Sequence, residues 1–227
     1  MKCKYDFCKM YILLVAATWF EIEPTILLLK KTQNKVNNHA IEVLITGVGQ
    51  VNTTYLLTLN LFNKKPGLVI QAGIAGTFNK QLSLGQPVLI KQDTFGDAGM
   101  EEKRNFTTLF DAGFAGKNDS PFSDGWLIND TTNLFDTLSL NAVKGITINK
   151  ISDSLFQRQQ LIQYFAPATE SMEGAAFHYV CLQQKVPFIQ IRSISNAVGE
   201  RDKSKWAMKD AIMNLNIELE KILINLP

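Results

Sequence analysis

Short, continuous apolar runs punctuate this chain at residues 11–17, 42–46, 68–72, 87–91, 143–148 and 187–193. Runs without polar alternation predict strands covered on both faces. Between them lie stretches with helical spacing: residues 23–31, with Pro24 in the first turn, and residues 51–62, 154–165 and 169–185. The clearest is 205–226, where Met208, Ala211, Ile212, Leu215, Leu219, Ile222 and Leu226 recur at helical spacing. Strand–helix alternation predicts an α/β fold: a mainly parallel central sheet flanked by helices in three layers. No internal repeat or Pro-rich linker divides the chain, so residues 10–227 read as one domain behind an extension of residues 1–9. Residues 96–130 are polar and rich in Gly, Asp and Asn, and read as a long functional loop or insertion.

Composition narrows the function. The chain has 227 residues, 46% hydrophobic and 19% charged, enough for one large core. A net charge of +2 without a basic stripe argues against a nucleic-acid partner. Cys3, Cys8 and Cys181 are too scattered for a disulfide framework or a zinc site, which suits a reducing, cytoplasmic compartment. Lys2, Lys4 and Lys9 ahead of an apolar run superficially resemble a signal peptide. Trp19, Phe20 and Glu21 follow that run instead of a small-residue cleavage site, so it reads as a first strand. It is too short to span a membrane.

The candidate chemistry lies at strand ends. Gly47-Val48-Gly49 opens a helix, but a dinucleotide fingerprint would need glycine where Asn52 stands, so a tight turn is favoured over direct anion binding. Gln71-Ala72-Gly73-Ile74-Ala75-Gly76 is a second glycine-rich strand end, open to either a tight turn or close ligand approach. Glu21 is a candidate general base beyond the first strand, against the plainer reading of a charge favoured at a helix start. Glu170-Ser171-Met172-Glu173-Gly174-Ala175-Ala176-Phe177 places an acid on a helix start, with small residues suited to close packing on the sheet. Ile191-Arg192-Ser193-Ile194-Ser195-Asn196 follows about one helix later, and the two segments can meet at one crevice. His39, in a polar turn, and His178, on a helix, enter no convincing triad or metal set and read as structural or solvent-facing.

These residues resemble the purine nucleoside phosphorylase and nucleosidase superfamily, over nearly the whole chain from residue 11 to 226. The resemblance rests on Met172-Glu173, Ser195-Asn196 and the two glycine-rich strand ends. Leu14 to Thr18, Gly73 to Gly76, Asp93 to Gly99, Arg201-Asp202 and Trp206 are most similar to the futalosine hydrolase branch. The resemblance implies a mixed, mostly parallel, nucleoside phosphorylase-like sheet and no metal or organic cofactor. It implies a small-molecule nucleoside as the partner and a homo-oligomer, dimer or higher, that completes the pocket across an interface. It also implies catalytic roles for Glu21, which would activate water, and for Arg192 near that water. Glu173 would hold the ribose hydroxyls and Met172 would pack on the sugar. Thr18, Ile74, Gly76 and Ser195 would complete the substrate site.

Two departures refine the expectation. Asn196 stands where adenine-specific members carry an aspartate that protonates N7. Adenine offers an amino donor at position 6, whereas hypoxanthine offers a carbonyl acceptor. An asparagine can donate to O6 and accept from N7–H, so Asn196 favours hypoxanthine unless it is only a turn residue. Ile74 replaces a hydroxyl found in many relatives, and an apolar wall disfavours a phosphate dianion. The expected reaction is hydrolysis of futalosine to hypoxanthine and dehypoxanthine futalosine, a step of menaquinone biosynthesis. The alternatives are a methylthioadenosine/S-adenosylhomocysteine nucleosidase, a purine nucleoside phosphorylase, or a non-catalytic nucleoside-binding protein. Residues 151–156 are the expected place of a purine-stacking side chain. Lys103, Arg104 and Arg201 are candidates for the substrate's carboxylated tail, each against the plainer reading of a solvated charge.

Overall fold

A computed structural model describes residues 10–131, 138–151 and 153–226. The expected extension, residues 1–9, lies outside the described residues. The first strand, β1 (Tyr11–Ala16), shows why continuous apolar runs become central strands. Ile12, Leu14 and Ala16 pack on one side with Ile22, Ile26 and Leu29 of α1 (Trp19–Lys31) and with Leu215, Leu219 and Ile222 of α5 (Met208–Asn225). Leu13 and Val15 pack on the other with Leu57 and Leu61 of α2 (Gln50–Asn63) and Phe177 and Val180 of α4 (Gly174–Gln184). Each such leucine, fully buried, contributes about 1.5–3 kcal/mol.

The remaining elements, in chain order, are β2 (Lys35–Val36), β3 (His39–Ile45), β4 (Leu68–Thr77), β5 (Pro87–Asp93), a hairpin of β6 (Gly99–Glu102) and β7 (Asn105–Thr108), β8 (Leu127–Ile128), β9 (Asn141–Thr147), α3 (Leu155–Phe165), β10 (Thr169–Ser171) and β11 (Phe188–Ala197). The main sheet runs β10-β9-β5-β11-β4-β1-β3-β2, with β8 on β5. β1 pairs parallel with β3 and β4, β11 with β4, and β9 with β5 and β10, while β5 and β11 run antiparallel. This is the expected three-layer α/β architecture, with one addition. β10 also pairs antiparallel with the far end of β4, so that end of the sheet curls back on itself.

Three expectations need correction. Residues 169–185 are not one helix: Thr169–Ser171 is a strand, and α4 begins at Gly174 with Glu173 as its N-cap. Residues 96–130 hold strands β6, β7 and β8 and are not a plain loop. His39 is buried at the start of β3, where its Nδ1 accepts from the Met10 N–H at 3.1 Å, and does not sit in a polar turn.

Among the described residues, no helix is long and apolar enough to cross a membrane.

Candidate functional site

A pocket of about 420 Å³ opens where β1, β4, β10 and β11 end. Its wall includes Thr18, Glu21, Ile74, Gly76, Met172, Glu173, Ser195 and Asn196. Every expected site residue but Arg192 therefore lines one cavity, and Arg192 is buried beneath it.

Glu21 is set by its local chain. Thr18 caps α1, and its N–H and hydroxyl both donate to Glu21 Oε2, each at 2.9 Å. Ile22 leaves helical geometry two residues before Pro24, which cannot donate a helical hydrogen bond, so Glu21 rides on a separate first turn ahead of the kink. From β4, Ile74 N–H donates to Glu21 Oε1 at 3.1 Å. The carboxylate thus faces the pocket held by three donors.

Glu173 is fixed from two sides. Gly49 N–H donates to its Oε1 at 3.0 Å, and Arg192 Nη1 lies 3.4 Å from its Oε2. Gly49 has φ +98°, a backbone shape that favours glycine. The Gly47-Val48-Gly49 turn therefore serves the protein's own acid, in keeping with a tight turn. Arg192 Nη2 donates to Gln71 Oε1 at 3.1 Å and Nη1 to the Ile74 carbonyl at 3.5 Å. Gly73 is required above it: a Cβ there would lie 2.3 Å from Arg192 Nη1 and 2.9 Å from Glu21 Oε1. The glycine-rich run at 71–76 stays within β4 and makes no turn, and Ile74, Ala75 and Gly76 face the pocket.

Asn196 follows a register shift of β11 against β4 between Ile194 and Asn196. Such bulges re-aim side chains near sites. Ser195 hydroxyl donates to Asn196 Oδ1 at 2.7 Å, and Asn196 Nδ2 donates to the Ala197 carbonyl at 2.9 Å. An amide oxygen accepts twice and an NH₂ donates twice. One acceptor and one donor position are left over, the pair that a 6-oxopurine's N7–H and O6 require.

The N-terminus of α4, which carries Glu173, is anchored from below. Ala175 N–H donates to Thr147 Oγ1 at 2.7 Å, and that hydroxyl donates to Asp93 Oδ1 at 2.9 Å. Burial pushes Asp93 up to about 7, opposed by the Thr147 hydrogen bond and the Arg192 charge. The small residues at 174–176 do allow the expected close packing: a Cβ on Gly174 would lie 2.1 Å from Asp93 Oδ2. His178, on the same helix, is fully buried against Leu127 O at 3.0 Å, which settles its reading as structural. Burial lowers its pKa to about 4.

Sequence reasoning missed much of the cavity wall. Phe20, Val48, Trp206, Met208 and Ile212 form its apolar side, and Glu170 also lines it. In the segment expected to hold a stacking aromatic, Ile151 lines this pocket, whereas Phe156 lines a neighbouring polar cavity beside Arg104. Ser152 lies outside the described residues. Of the three cations considered for a carboxylated tail, Arg201 lies 6.0 Å from the ring centroid of Trp206, a pocket residue. Arg104 instead lines the neighbouring cavity, and Lys103 and Arg104 form the β6–β7 turn.

Residues 23–224 match the model of the phosphorylase superfamily, and the chain belongs to that superfamily. It is 29% identical over 181 residues to a futalosine hydrolase of Thermus thermophilus, covering 78% of this chain and 79% of the relative. It is 31% identical over 173 residues to a 5′-methylthioadenosine/S-adenosylhomocysteine nucleosidase of Staphylococcus aureus, covering 72% of each. Among solved structures, a futalosine hydrolase of Helicobacter pylori superposes with a TM-score of 0.76 at 18% identity, covering 96% of this chain and 99% of the other. The fold is that of these enzymes, and the chain is an enzyme of their superfamily.

Proposed function

We propose that this protein is a nucleosidase that cleaves the N-glycosidic bond of futalosine with water, releasing hypoxanthine and dehypoxanthine futalosine. The observation that carries the choice of base is Asn196, on the pocket wall with one acceptor and one donor still free. A buried mismatch there costs about 1–3 kcal/mol, so an asparagine disfavours adenine by roughly 5- to 150-fold. The Thermus thermophilus relative supports the same substrate.

In this reading Glu173 binds the 2′- and 3′-hydroxyls and Met172 packs on the sugar. As the C1′–N9 bond breaks, positive charge develops on the ribosyl centre between the two carboxylates. Glu21 takes a proton from water as its oxygen bonds to C1′. The base leaves as its N7–H tautomer, the N7 proton coming from bulk water while Glu21 later returns its proton to solvent, with Asn196 accepting N7–H and donating to O6. Arg192 holds Glu173 and keeps the charge balance beside Glu21. Water is favoured over phosphate as nucleophile because no basic side chain lines the cavity among the described residues and Ile74 offers an apolar wall. Arg201, stacked on Trp206, is the cation best placed for a carboxylated tail.

The partner of the protein surface is a second copy of this chain. Val51, Tyr55, Leu59 and Phe62 form an exposed apolar stripe along α2, beginning three residues after the pocket residue Val48. Phosphate-independent release of hypoxanthine from futalosine tests the proposed reaction.

A further inference from the structure

We propose that Asp93 is a positioning residue for Glu173: carrying a proton, it closes a buried hydrogen-bond chain through Gln190 to His178 and seats the N-terminus of α4. This inference deepens the reading of Glu173 as the acid that holds the ribose, and rests on it.

Donors and acceptors beneath α4 balance in two ways, and burial selects one. Asp93 ends β5, Gln190 lies on β11 and His178 on α4, and all three are buried. His178 Nδ1 is 3.0 Å from the Leu127 carbonyl, which can only accept, so Nδ1 carries a proton. On a neutral imidazole Nε2 is then an acceptor. With Gln190 Nε2 turned to Asp93 Oδ2, at 3.4 Å, Gln190 Oε1 and His178 Nε2 are both left without a partner, although the two side chains are within hydrogen-bonding reach. Two bare acceptors side by side in the interior call for a proton. It can sit on His178, at the cost of an imidazolium in the interior near the Arg192 charge. Or the Gln190 amide can turn over: Nε2 then donates to His178 Nε2, Oε1 faces Asp93 Oδ2, and the proton sits on that carboxyl oxygen. Both states hold the same number of protons, and the second leaves no charge at either end. Burial favours it from both sides, lowering His178 to about 4 and raising Asp93 to about 7.

The chain supports Glu173 directly. Gly174, the next residue, rests on it: a Cβ there would lie 2.1 Å from Asp93 Oδ2 and 2.3 Å from Gln190 Nε2. Asp93 Oδ1 still accepts from Thr147 Oγ1 at 2.9 Å, and that hydroxyl accepts from Ala175 N–H at 2.7 Å. A neutral Asp93 also leaves the Arg192 charge undivided to Glu173 Oε2, 3.4 Å away. Once ionised, Asp93 competes for Arg192 and sets the two acceptors against each other under Gly174, so the hold on the ribose loosens. Of the elements packed around Asp93, β11 brings Arg192, α4 brings His178 and its N-cap Glu173, and β9 brings Lys144, which lies over the Trp126 ring. β8 brings the uncharged Leu127 and Ile128, and α5 exposes Lys209 and Asp210 to solvent.

The test pairs calorimetry with nitrogen NMR on the full-length protein. The probe is formycin B, an inosine analogue with an uncleavable carbon–carbon glycosidic bond. Wild-type affinity should fall several-fold from about pH 6 to about pH 8, toward the roughly tenfold limit set by the neutral fraction of a group titrating near 7. D93N reproduces the neutral acid, its NH₂ donating to Gln190 and its carbonyl accepting from Thr147, and its affinity should lose most of that pH dependence. Glu170, which lines the pocket and is also raised to about 7, is the same in both proteins, so the difference between them reports Asp93. The chain has two histidines, and H178Q identifies the His178 signals. At about pH 6, Nδ1 should carry the proton and Nε2 should be an unprotonated acceptor. The inference is overturned if His178 Nε2 is protonated at that pH, or if D93N keeps the wild-type pH dependence. Should wild type bind no formycin B at any pH, the nucleosidase reading fails, and the His178 spectrum still decides whether the chain exists.

Discussion

Arg192 and Glu173 meet as a buried ion pair, Nη1 3.4 Å from Oε2, under the floor of the pocket. Arg192 is 1% exposed and also bonds Gln71 and Ile74, so it links β11 and β4 to the N-cap of α4. Removing one partner of such a pair strands the other charge in the interior, at about 3–5 kcal/mol. R192M is therefore expected to lower stability by that amount in denaturant titration and to weaken ribose binding. E173Q keeps a hydrogen-bonding side chain beside Arg192 and is expected to lose turnover with a smaller loss of stability. Equal stability of R192M and wild type would contradict this role.

Glu21 holds its place through three donors from Thr18 and Ile74. E21Q keeps the shape but cannot take a proton. Turnover should fall by roughly 10²- to 10⁴-fold while substrate binding, followed by calorimetry, stays within a few-fold. Unchanged turnover would remove Glu21 as the base.

N196D replaces the free donor with a second acceptor. Cleavage of methylthioadenosine should rise relative to futalosine, the ratio moving by roughly 5- to 150-fold. Competing-substrate assays at one pH measure it directly. A ratio that does not move would make Asn196 a turn residue.

His178 gives a pH signature. Burial holds its folded pKa at about 4, below the ordinary 6.5. Between those values the unfolded chain binds a proton that the folded chain refuses, so stability from this group is complete above about pH 6.5 and is lost as pH falls toward 4. Asp93 and Glu170, both raised to about 7, act in the opposite sense across nearly all of this range. The contribution is therefore read as a difference: H178Q should lose less stability than wild type on acidification from pH 6.5 to 4.5. Parallel melting curves for the two proteins would contradict the assignment.

The core strands were legible because burial on both faces leaves continuous apolar runs such as Leu13–Leu14–Val15, and α5 because one face alone is buried. Thr169–Ser171 was not, since a three-residue strand of Thr, Glu and Ser has no apolar pattern, and it is buried by β4 and β9 on either side. The early start of α1 had a signal, Thr18 three residues before Glu21, the spacing of a capping box, but Pro24 drew the expected start to residue 23. Glu21 and Asn196 stood out because a polar residue at the end of an apolar strand is costly without a purpose, and Glu173 because it read as an acid at a helix start. Trp206, Met208 and Ile212 carry no such mark. Met208 and Ile212 reach the pocket because α5 packs on α1 and β11, and Trp206 lies just ahead of that helix, a relation set by tertiary packing. The same holds for Glu170, whose neighbours in the sheet are far away in sequence.

The most direct measurement is incubation of the purified protein with futalosine, inosine and methylthioadenosine, each with and without phosphate, with free base followed by chromatography. Futalosine should yield hypoxanthine at a rate independent of phosphate, and methylthioadenosine little adenine. Adenine release from methylthioadenosine with no cleavage of futalosine, or hypoxanthine release only when phosphate is present, would contradict the proposed reaction.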